Sequence, residues 1–178
     1  MKTFFSMVWL SCFIILLSFL LSCFNGFFYP IKYREEIVYN SNYFNIKPAL
    51  VASIINVESS YIKERVSTKG AVGLMQIMPS TAEWIAKRIN EEYLSEDDLL
   101  NPQINIKFGS FYISYLIDYF KSLDSAVCAY NAGMGNVSAW LKNESYAKDG
   151  KLIKIPFKET EDYYNKILKN LRYYEKKY

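Results

Sequence analysis

Glu58 is the residue whose position in the sequence is best suited to chemistry. It shares one face of a predicted helix with apolar residues at spacings of three and four: Leu50, Val51, Ile54 and Ile55. Burial removes water from a carboxylate, which raises its pKa and favours the protonated form. A protonated carboxyl is a general acid, suited to a bond whose leaving oxygen must be protonated, such as a glycosidic bond. From the residues alone, a helix-terminal glutamate bound to polar groups remains the alternative.

The composition narrows the possible chemistry to carboxylates. None of the 178 residues is a histidine, which removes Ser-His and Cys-His catalytic pairs and the usual ligands of catalytic zinc. We therefore expect no metal and no cofactor. Cys128 is the one cysteine outside the N-terminal segment, so no internal disulfide framework is possible and a small buried side chain is expected.

The charge pattern argues against nucleic acid as a partner. The net charge is +3, and the basic residues form no stripe interleaved with aromatic residues. The charge therefore points to no polyanion in particular.

The N-terminus resembles a membrane segment. No charged residue lies between Lys2 and Lys32, and the apolar stretch 4–22 approaches the length of a spanning helix. We predict that residues 1–27 are an uncleaved membrane anchor or signal segment and that residues 28–178 form one domain outside the cytoplasmic membrane. The alternatives are a lipoprotein processed at Cys23, and a secreted protein.

The domain has the patterns of helices and no clear period-two run, so strands should be few or absent. Pro48 suits a first helical turn, 80–83 resembles a capping box after Pro79, and Asn101-Pro102 predicts the start of a long helix. Further helix starts are expected at Asp124, Asn136 and Thr160.

Two of the predicted helices have extended apolar faces. The face of the long helix is expected to be core and not a ligand site, and it comprises Ile104, Phe108, Phe111, Tyr112, Tyr115, Leu116 and Tyr119. In the last helix, Tyr163, Ile167 and Leu171 form an amphipathic pattern. The helices together predict an all-α domain.

Three motifs follow one another along the chain: the first contains Glu58, and the second and third each contain a glycine loop. They read Glu58-Ser59, then Ser67-x-x-Gly70-Ala71-x-Gly73-Leu74-Met75-Gln76-Ile77-Met78-Pro79, then Ala129-Tyr130-Asn131-Ala132-Gly133. This order resembles the soluble lytic transglycosylase catalytic domain, here in a membrane-anchored form, over about residues 43–174. The resemblance implies a lysozyme-like fold, from an α+β superfamily with little or no sheet, as a single helical domain with a substrate groove.

The resemblance also implies the reaction. Glu58 would protonate the leaving oxygen of the MurNAc-β-1,4-GlcNAc bond of peptidoglycan and then deprotonate the C6 hydroxyl of the same MurNAc, leaving a 1,6-anhydro end. An internal hydroxyl at high effective concentration can outcompete water. The partners would be peptidoglycan glycan strands, with the domain on a single membrane anchor facing the cell wall.

Site residues follow from the same motifs. Ser67 would hydrogen-bond near Glu58, Gln76 and Met78 would line the groove, and Tyr130 would place its hydroxyl near Glu58 and the sugar. Asn131 would order its loop. In the closing stretch 155–163, Glu159 would contact substrate or support Tyr130, and Glu161 departs from the family, which often has Arg there.

Two other functions stay open at this point. A goose-type-lysozyme-like hydrolase would share the fold and the glutamate but add water, and it would be favoured by a second, well-placed carboxylate, for which the candidates are Asp97, Asp98, Asp118 and Asp124. A non-catalytic peptidoglycan-binding module would keep the groove without turnover.

Overall fold

The structure is a computed structural model that describes residues 13–17 and 29–178. The chain divides into two compact units, Met1–Ile31 and Lys32–Tyr178. Residues 13–17 are helical, and the rest of the predicted 4–22 segment lies outside the described residues. Within the described ranges, no helix is both long enough and apolar enough to cross a membrane. The anchor and its boundary at residue 28 therefore stay predictions.

The second unit is built from helices, with one very small sheet in its described part. In chain order the elements are α1 Arg34–Tyr43, α2 Pro48–Ser59, α3 Pro79–Ile89, a 3-10 turn Glu96–Leu100, α4 Pro102–Phe120, α5 Leu123–Ala132, α6 Met134–Leu141, β1 Ala147–Lys148, β2 Lys151–Leu152 and α7 Lys158–Tyr174. The two strands are antiparallel, with Ala147 opposite Leu152. The prediction of a helical domain with little sheet is confirmed.

Helix α2 lies at the centre of the core. Val51, Ala52 and Ile55 are fully buried, and even Ser53 is closed off from solvent and donates its hydroxyl to Ala49 O at 2.6 Å. A helix that is apolar on nearly all sides must be surrounded, and α2 packs against α1, α4 and most extensively α7. A side chain at the C-terminal end of α2 therefore projects directly from the core.

The proline-based helix starts are confirmed. Pro48 and Pro102 occupy first-turn positions, and the Asn101 side chain accepts the Gln103 amide at 2.9 Å. The predicted capping box at Ser80 is wrong, because α3 already begins at Pro79 after Met78, with no side-chain cap. The fixed φ of proline preorganises the first turn one residue before the serine.

The predicted starts of the last three helices are each displaced. Ser122, and not Asp124, caps α5 by accepting the Ser125 amide at 3.3 Å. Helix α6 follows Gly133 directly, so Asn136 lies inside its first turn, and α7 begins at Lys158, which places Thr160 inside the helix. Several cap-type residues lie near each start, and residue type alone does not select among them.

The aromatic face of α4 is only partly core. Phe108 and Leu116 are buried as predicted, but Phe111, Tyr112 and Tyr115 are half-buried and Tyr119 is 55% exposed. Trp84 of α3 packs against this face. Because α3 has 11 residues and α4 has 19, the outer edge of the face stays open to solvent.

Candidate active site

Glu58 is the penultimate residue of α2, and the residue that follows the helix, Ser60, lies in the left-handed region. Ile54 and Ile55, one turn earlier, are buried, so the carboxyl group leaves the helix at the boundary of the core. Burial raises the pKa of Glu58 to about 7, against smaller opposing effects of Tyr163 and Arg65. Near neutral pH the group is therefore present in both its protonated and its ionised form.

Tyr163 of α7 faces the Glu58 carboxyl group. Its side chain is 6% exposed, and as a hydrogen-bond donor its hydroxyl lowers the pKa of Glu58. Burial and the Glu58 charge together raise the pKa of Tyr163 well above its usual range, so the phenol keeps its proton. The hydroxyl makes no hydrogen bond of ordinary distance and angle among the described residues, which leaves its hydrogen available to the Glu58 carboxylate. The sequence placed Tyr163 on an apolar helix face and at the end of the closing stretch 155–163, which was the available signal, but gave it no role at the site.

Arg65 and Gln76 belong to the loop between α2 and α3. The Arg65 charge favours the ionised form of Glu58, and this exposed residue was not predicted. Gln76 adopts a φ of 49° and donates its side-chain amide to Arg65 O and to Gly73 O, both at 2.9 Å. A non-glycine residue in the left-handed region is strained, and the two side-chain bonds hold it there. Gln76 thus determines the loop shape as well as lying in it.

Asn105 of α4 supports the same loop from the core side. It is fully buried, accepts the Met75 amide at 2.7 Å and donates to Val72 O and Leu99 O, each at 2.9 Å. Gly73, with φ of 82°, lies so close that a Cβ there would overlap the Asn105 side chain. Asn105 satisfies three buried backbone groups, a role that its sequence position did not indicate.

Ser67 lies within this loop, and Met78 lies at its end. The Ser67 hydroxyl oxygen accepts the Ala71 amide at 2.9 Å, which closes the turn around Gly70, and the predicted bond near Glu58 stays a prediction. Met78 is 38% exposed where α3 begins, as a groove-lining side chain would be.

Tyr130 of α5 lies beside the same loop. Its hydroxyl donates to Met75 O at 2.9 Å, and its ring contacts Tyr112 with 5.4 Å between centroids. Burial raises the pKa of Tyr130 well above its usual range, and the Glu58 charge adds to the effect. Tyr130 and Glu58 are therefore close enough to interact electrostatically, while the Tyr130 hydroxyl hydrogen is donated to the loop at Met75 O.

Asn131 connects two helices. Its side-chain oxygen accepts the hydroxyl of the buried Thr160 at 2.8 Å, so the end of α5 is joined to the first turn of α7. This bond explains why Thr160 is not a cap. Glu159, the preceding residue, is exposed in the first turn of α7, and its contact with substrate or with Tyr130 stays a prediction.

Three of the four candidate second carboxylates have other partners, and the fourth, Asp97, is exposed in the 3-10 turn. Asp98 accepts the Leu94 and Ser95 amides in a capping box, Asp118 pairs with Lys121, and Asp124 accepts the Tyr164 hydroxyl at 2.8 Å. Among the described groups that shift the pKa of Glu58, none is a carboxylate. No set of three acidic, cysteine or histidine side chains in the described ranges could hold a metal.

Comparison with known sequences assigns the chain that carries this site to a family. Residues 36–153 match the family described as Transglycosylase SLT domain. The chain belongs to the SLT family. The soluble lytic murein transglycosylase of Salmonella typhimurium is 33% identical to this SLT domain chain over 150 residues, 82% of the chain and 23% of the relative. Membrane-bound lytic murein transglycosylase C of Actinobacillus pleuropneumoniae is 33% identical over 104 residues, 53% of the chain and 28% of the relative.

Solved structures agree with the sequence relatives. An inactive mutant of lytic transglycosylase Slt from Pseudomonas aeruginosa superposes with a TM-score of 0.79 at 30% identity, over 86% of this chain and 25% of that one. The 70 kDa soluble lytic transglycosylase of Escherichia coli gives 0.75 at 32% identity, over 82% and 24%. The SLT chain thus spans about a quarter of the length of these relatives. The predicted family and lysozyme-like fold are confirmed, and the roles of individual residues stay predictions.

Proposed function

We propose that this SLT domain is a peptidoglycan lytic transglycosylase. It cleaves the MurNAc-β-1,4-GlcNAc bond and leaves a 1,6-anhydro-MurNAc end without consuming water. The carrying observation is a single carboxyl group, Glu58, with a pKa of about 7 and no carboxylate among the described groups that act on it. The names of its relatives, soluble lytic murein transglycosylase among them, support the substrate.

In the first step Glu58 is the acid. Its protonated carboxyl donates to the oxygen that leaves with GlcNAc, and the bond between C1 of MurNAc and that oxygen breaks. Positive charge develops at C1, and the N-acetyl group of the same sugar stabilises it in place of a second carboxylate. The Glu58 carboxylate formed in this step is stabilised by the Tyr163 hydroxyl and the Arg65 charge.

In the second step Glu58 is the base. The carboxylate takes the proton of the C6 hydroxyl while O6 forms a bond to C1, which closes the anhydro ring and returns Glu58 to its protonated form. A pKa near the working pH suits a group that must give and then take one proton. The internal C6 hydroxyl reacts ahead of water because of its high effective concentration.

The surrounding residues position the sugars. Gln76 and Met78 line the groove from the loop before α3, and Tyr130, fixed by Met75 O, lines it from α5. Asn131 holds α7, and with it Tyr163, against α5 through Thr160. Ser67, in its turn, hydrogen-bonds near Glu58. Glu159 contacts substrate from the exposed first turn of α7.

The test is the identity of the product. The full chain in detergent and its Glu58→Gln variant are incubated with purified peptidoglycan, and the released muropeptides are identified by mass. Anhydro-MurNAc ends that disappear in the variant support the proposal. Reducing MurNAc ends would indicate a goose-type-lysozyme-like hydrolase, and binding without release by either protein would indicate a wall-binding module.

We further propose that residues 1–27 anchor the domain to the cell membrane, facing the cell wall. The absence of charge between Lys2 and Lys32 supports an anchor, and one relative bears the name membrane-bound. Fractionation of cells that express the chain and its Cys23→Ser variant separates the alternatives. If the segment is an anchor, both proteins stay in the membrane fraction. If the chain is a lipoprotein, the variant is released or carries no lipid label, and if it is secreted, both proteins are found in the soluble fraction.

A further inference from the structure

Beside the catalytic centre lies a half-exposed aromatic surface between α3 and α4. It consists of Trp84, Tyr112, Tyr115 and the exposed Arg88, and we call it the aromatic patch. Large apolar rings that stay accessible in one continuous surface are typical of binding sites, since isolated exposed rings are common but contiguous ones are not.

The patch is continuous with the catalytic centre. The Glu58 charge contributes to the raised pKa of Tyr130, so the two side chains are neighbours. The ring of Tyr130 contacts that of Tyr112, with 5.4 Å between centroids. Tyr112 contacts Trp84 at 6.2 Å, and Trp84 contacts Tyr115 at 4.9 Å. The series of rings therefore leads from the reacting bond outward over the surface, as a polymeric substrate would.

Arg88 gives the patch a charge. Its guanidinium lies over the ring of Trp84 at 4.7 Å and that of Tyr115 at 5.3 Å. A cation fixed on aromatic rings remains open to solvent on its outer face, where its donors can bind a carboxylate. The patch thus combines apolar ring faces with one positive group.

We propose that the aromatic patch binds the same glycan strand several sugars away from the bond that is cleaved. The apolar faces of the sugar rings contact the accessible parts of Trp84 and Tyr115 that Arg88 leaves uncovered, and Arg88 pairs with carboxylates of the peptides attached to MurNAc. This inference rests on the proposed function, because the occupant of the patch is taken to be the occupant of the catalytic groove.

The test separates binding from turnover. In the Glu58→Gln background of the full chain, Trp84→Ala and Arg88→Glu are measured by co-sedimentation with purified peptidoglycan. Loss of a central aromatic or arginine contact weakens binding about five- to tenfold. With Glu58 intact, the same changes raise KM on peptidoglycan and leave kcat unchanged.

A matched control is the double variant Tyr173→Ala with Lys177→Ala. It removes another aromatic-cation pair, at 5.6 Å, from the end of α7 and outside the ring series. Thermal unfolding of each variant verifies folding, and exposed Arg88 keeps the test usable if Trp84→Ala unfolds.

The outcomes distinguish the two proposals. Patch variants that bind like the parent, or a control that weakens binding equally, overturn the patch while leaving the reaction intact. Failure of the parent to release anhydro muropeptides overturns the proposed function instead. On an uncharged β-1,4-linked GlcNAc oligosaccharide, which carries no carboxylate, the Arg88→Glu effect disappears and the Trp84→Ala effect persists. A persisting Arg88→Glu effect there contradicts the assignment of Arg88 to carboxylates.

Discussion

The proposed catalytic centre around Glu58 and the aromatic patch both place side chains in surroundings that such side chains ordinarily avoid. At the centre, an ionisable carboxyl group, Glu58, is withdrawn from water, which raises its pKa to about 7. At the patch, rings of Trp84 and Tyr115 that would be buried in an ordinary core stay half-exposed. The first arrangement changes what a group can do chemically, and the second leaves surface free to bind. We expect chemistry and affinity to be separable in this domain.

The largest effect should come from Glu58→Gln. The variant keeps the shape but cannot donate the proton, so we expect activity on peptidoglycan to fall by about 10³-fold or more while binding is retained. Turnover and co-sedimentation measure the two properties. The control is Glu64→Gln, an exposed glutamate of the following loop, with near-normal activity expected. Activity above a tenth of the parent's would contradict a single acid.

Asn105→Leu should destabilise the loop that carries Gln76, because Asn105 supports the backbone of that loop. It leaves the Met75 amide and the carbonyls of Val72 and Leu99 buried without their partner, so we expect the free energy of unfolding to fall by about 3 kcal/mol. Urea unfolding measures it, and Asn136→Leu, at an exposed asparagine, should change it by about 0.5 kcal/mol or less. Equal effects would show that the loop does not depend on Asn105.

The buried carboxyl group should cost stability at high pH. Because the folded pKa of Glu58 lies at about 7, above the usual 4.5, the stability due to its protonated form is complete below pH 4.5 and is lost as the pH rises through 7. Glu58→Gln cannot ionise, so its stability relative to the parent should rise over this range by about 2–3 kcal/mol. Thermal and urea unfolding from pH 4 to 8 measure the difference. A difference independent of pH would place Glu58 in a more solvated site.

The smallest effect tests the partner of Glu58. Tyr163→Phe removes the donor that stabilises the carboxylate, so we expect kcat to fall about tenfold and the pKa of Glu58 to rise further. The alkaline limb of the kcat/KM profile should then move to higher pH. Tyr164→Phe, whose hydroxyl binds Asp124, is the matched control and should leave the profile in place. A lower rate with an unmoved profile would make Tyr163 structural only.

Sequence reasoning performed differently in the two regions. At the centre, the motif order identified Glu58, and the family that it indicated is confirmed. Tyr163 and Asn105 were given no role, since each acts through contacts with residues far along the chain, and Arg65 was missed because it lies in none of the motifs although it is only seven residues after Glu58. At the patch the helix period was correct, but it assigned the aromatic face of α4 to the core, whereas Tyr112 and Tyr115 are in fact only half-buried.

The reason lies in what each pattern encodes. Periodicity reports which residues share a helix face, and proline with asparagine reports where a helix begins, as at Asn101. Neither reports how much of a face the neighbouring helix covers. Because α3 is shorter than α4, the same apolar period is core at Phe108, half-buried at Tyr115 and exposed at Tyr119.

The sequence by itself determined the helical class, the family and the position of Glu58 on an apolar helix, because these depend on local period and on motifs within short segments. Tertiary structure decided that α7 brings Tyr163 to Glu58, that Asn105 supports the loop of Gln76, and that rings beside Arg88 remain open. Burial and pKa are properties of the surroundings, and the surroundings of Glu58 come from segments more than a hundred residues apart.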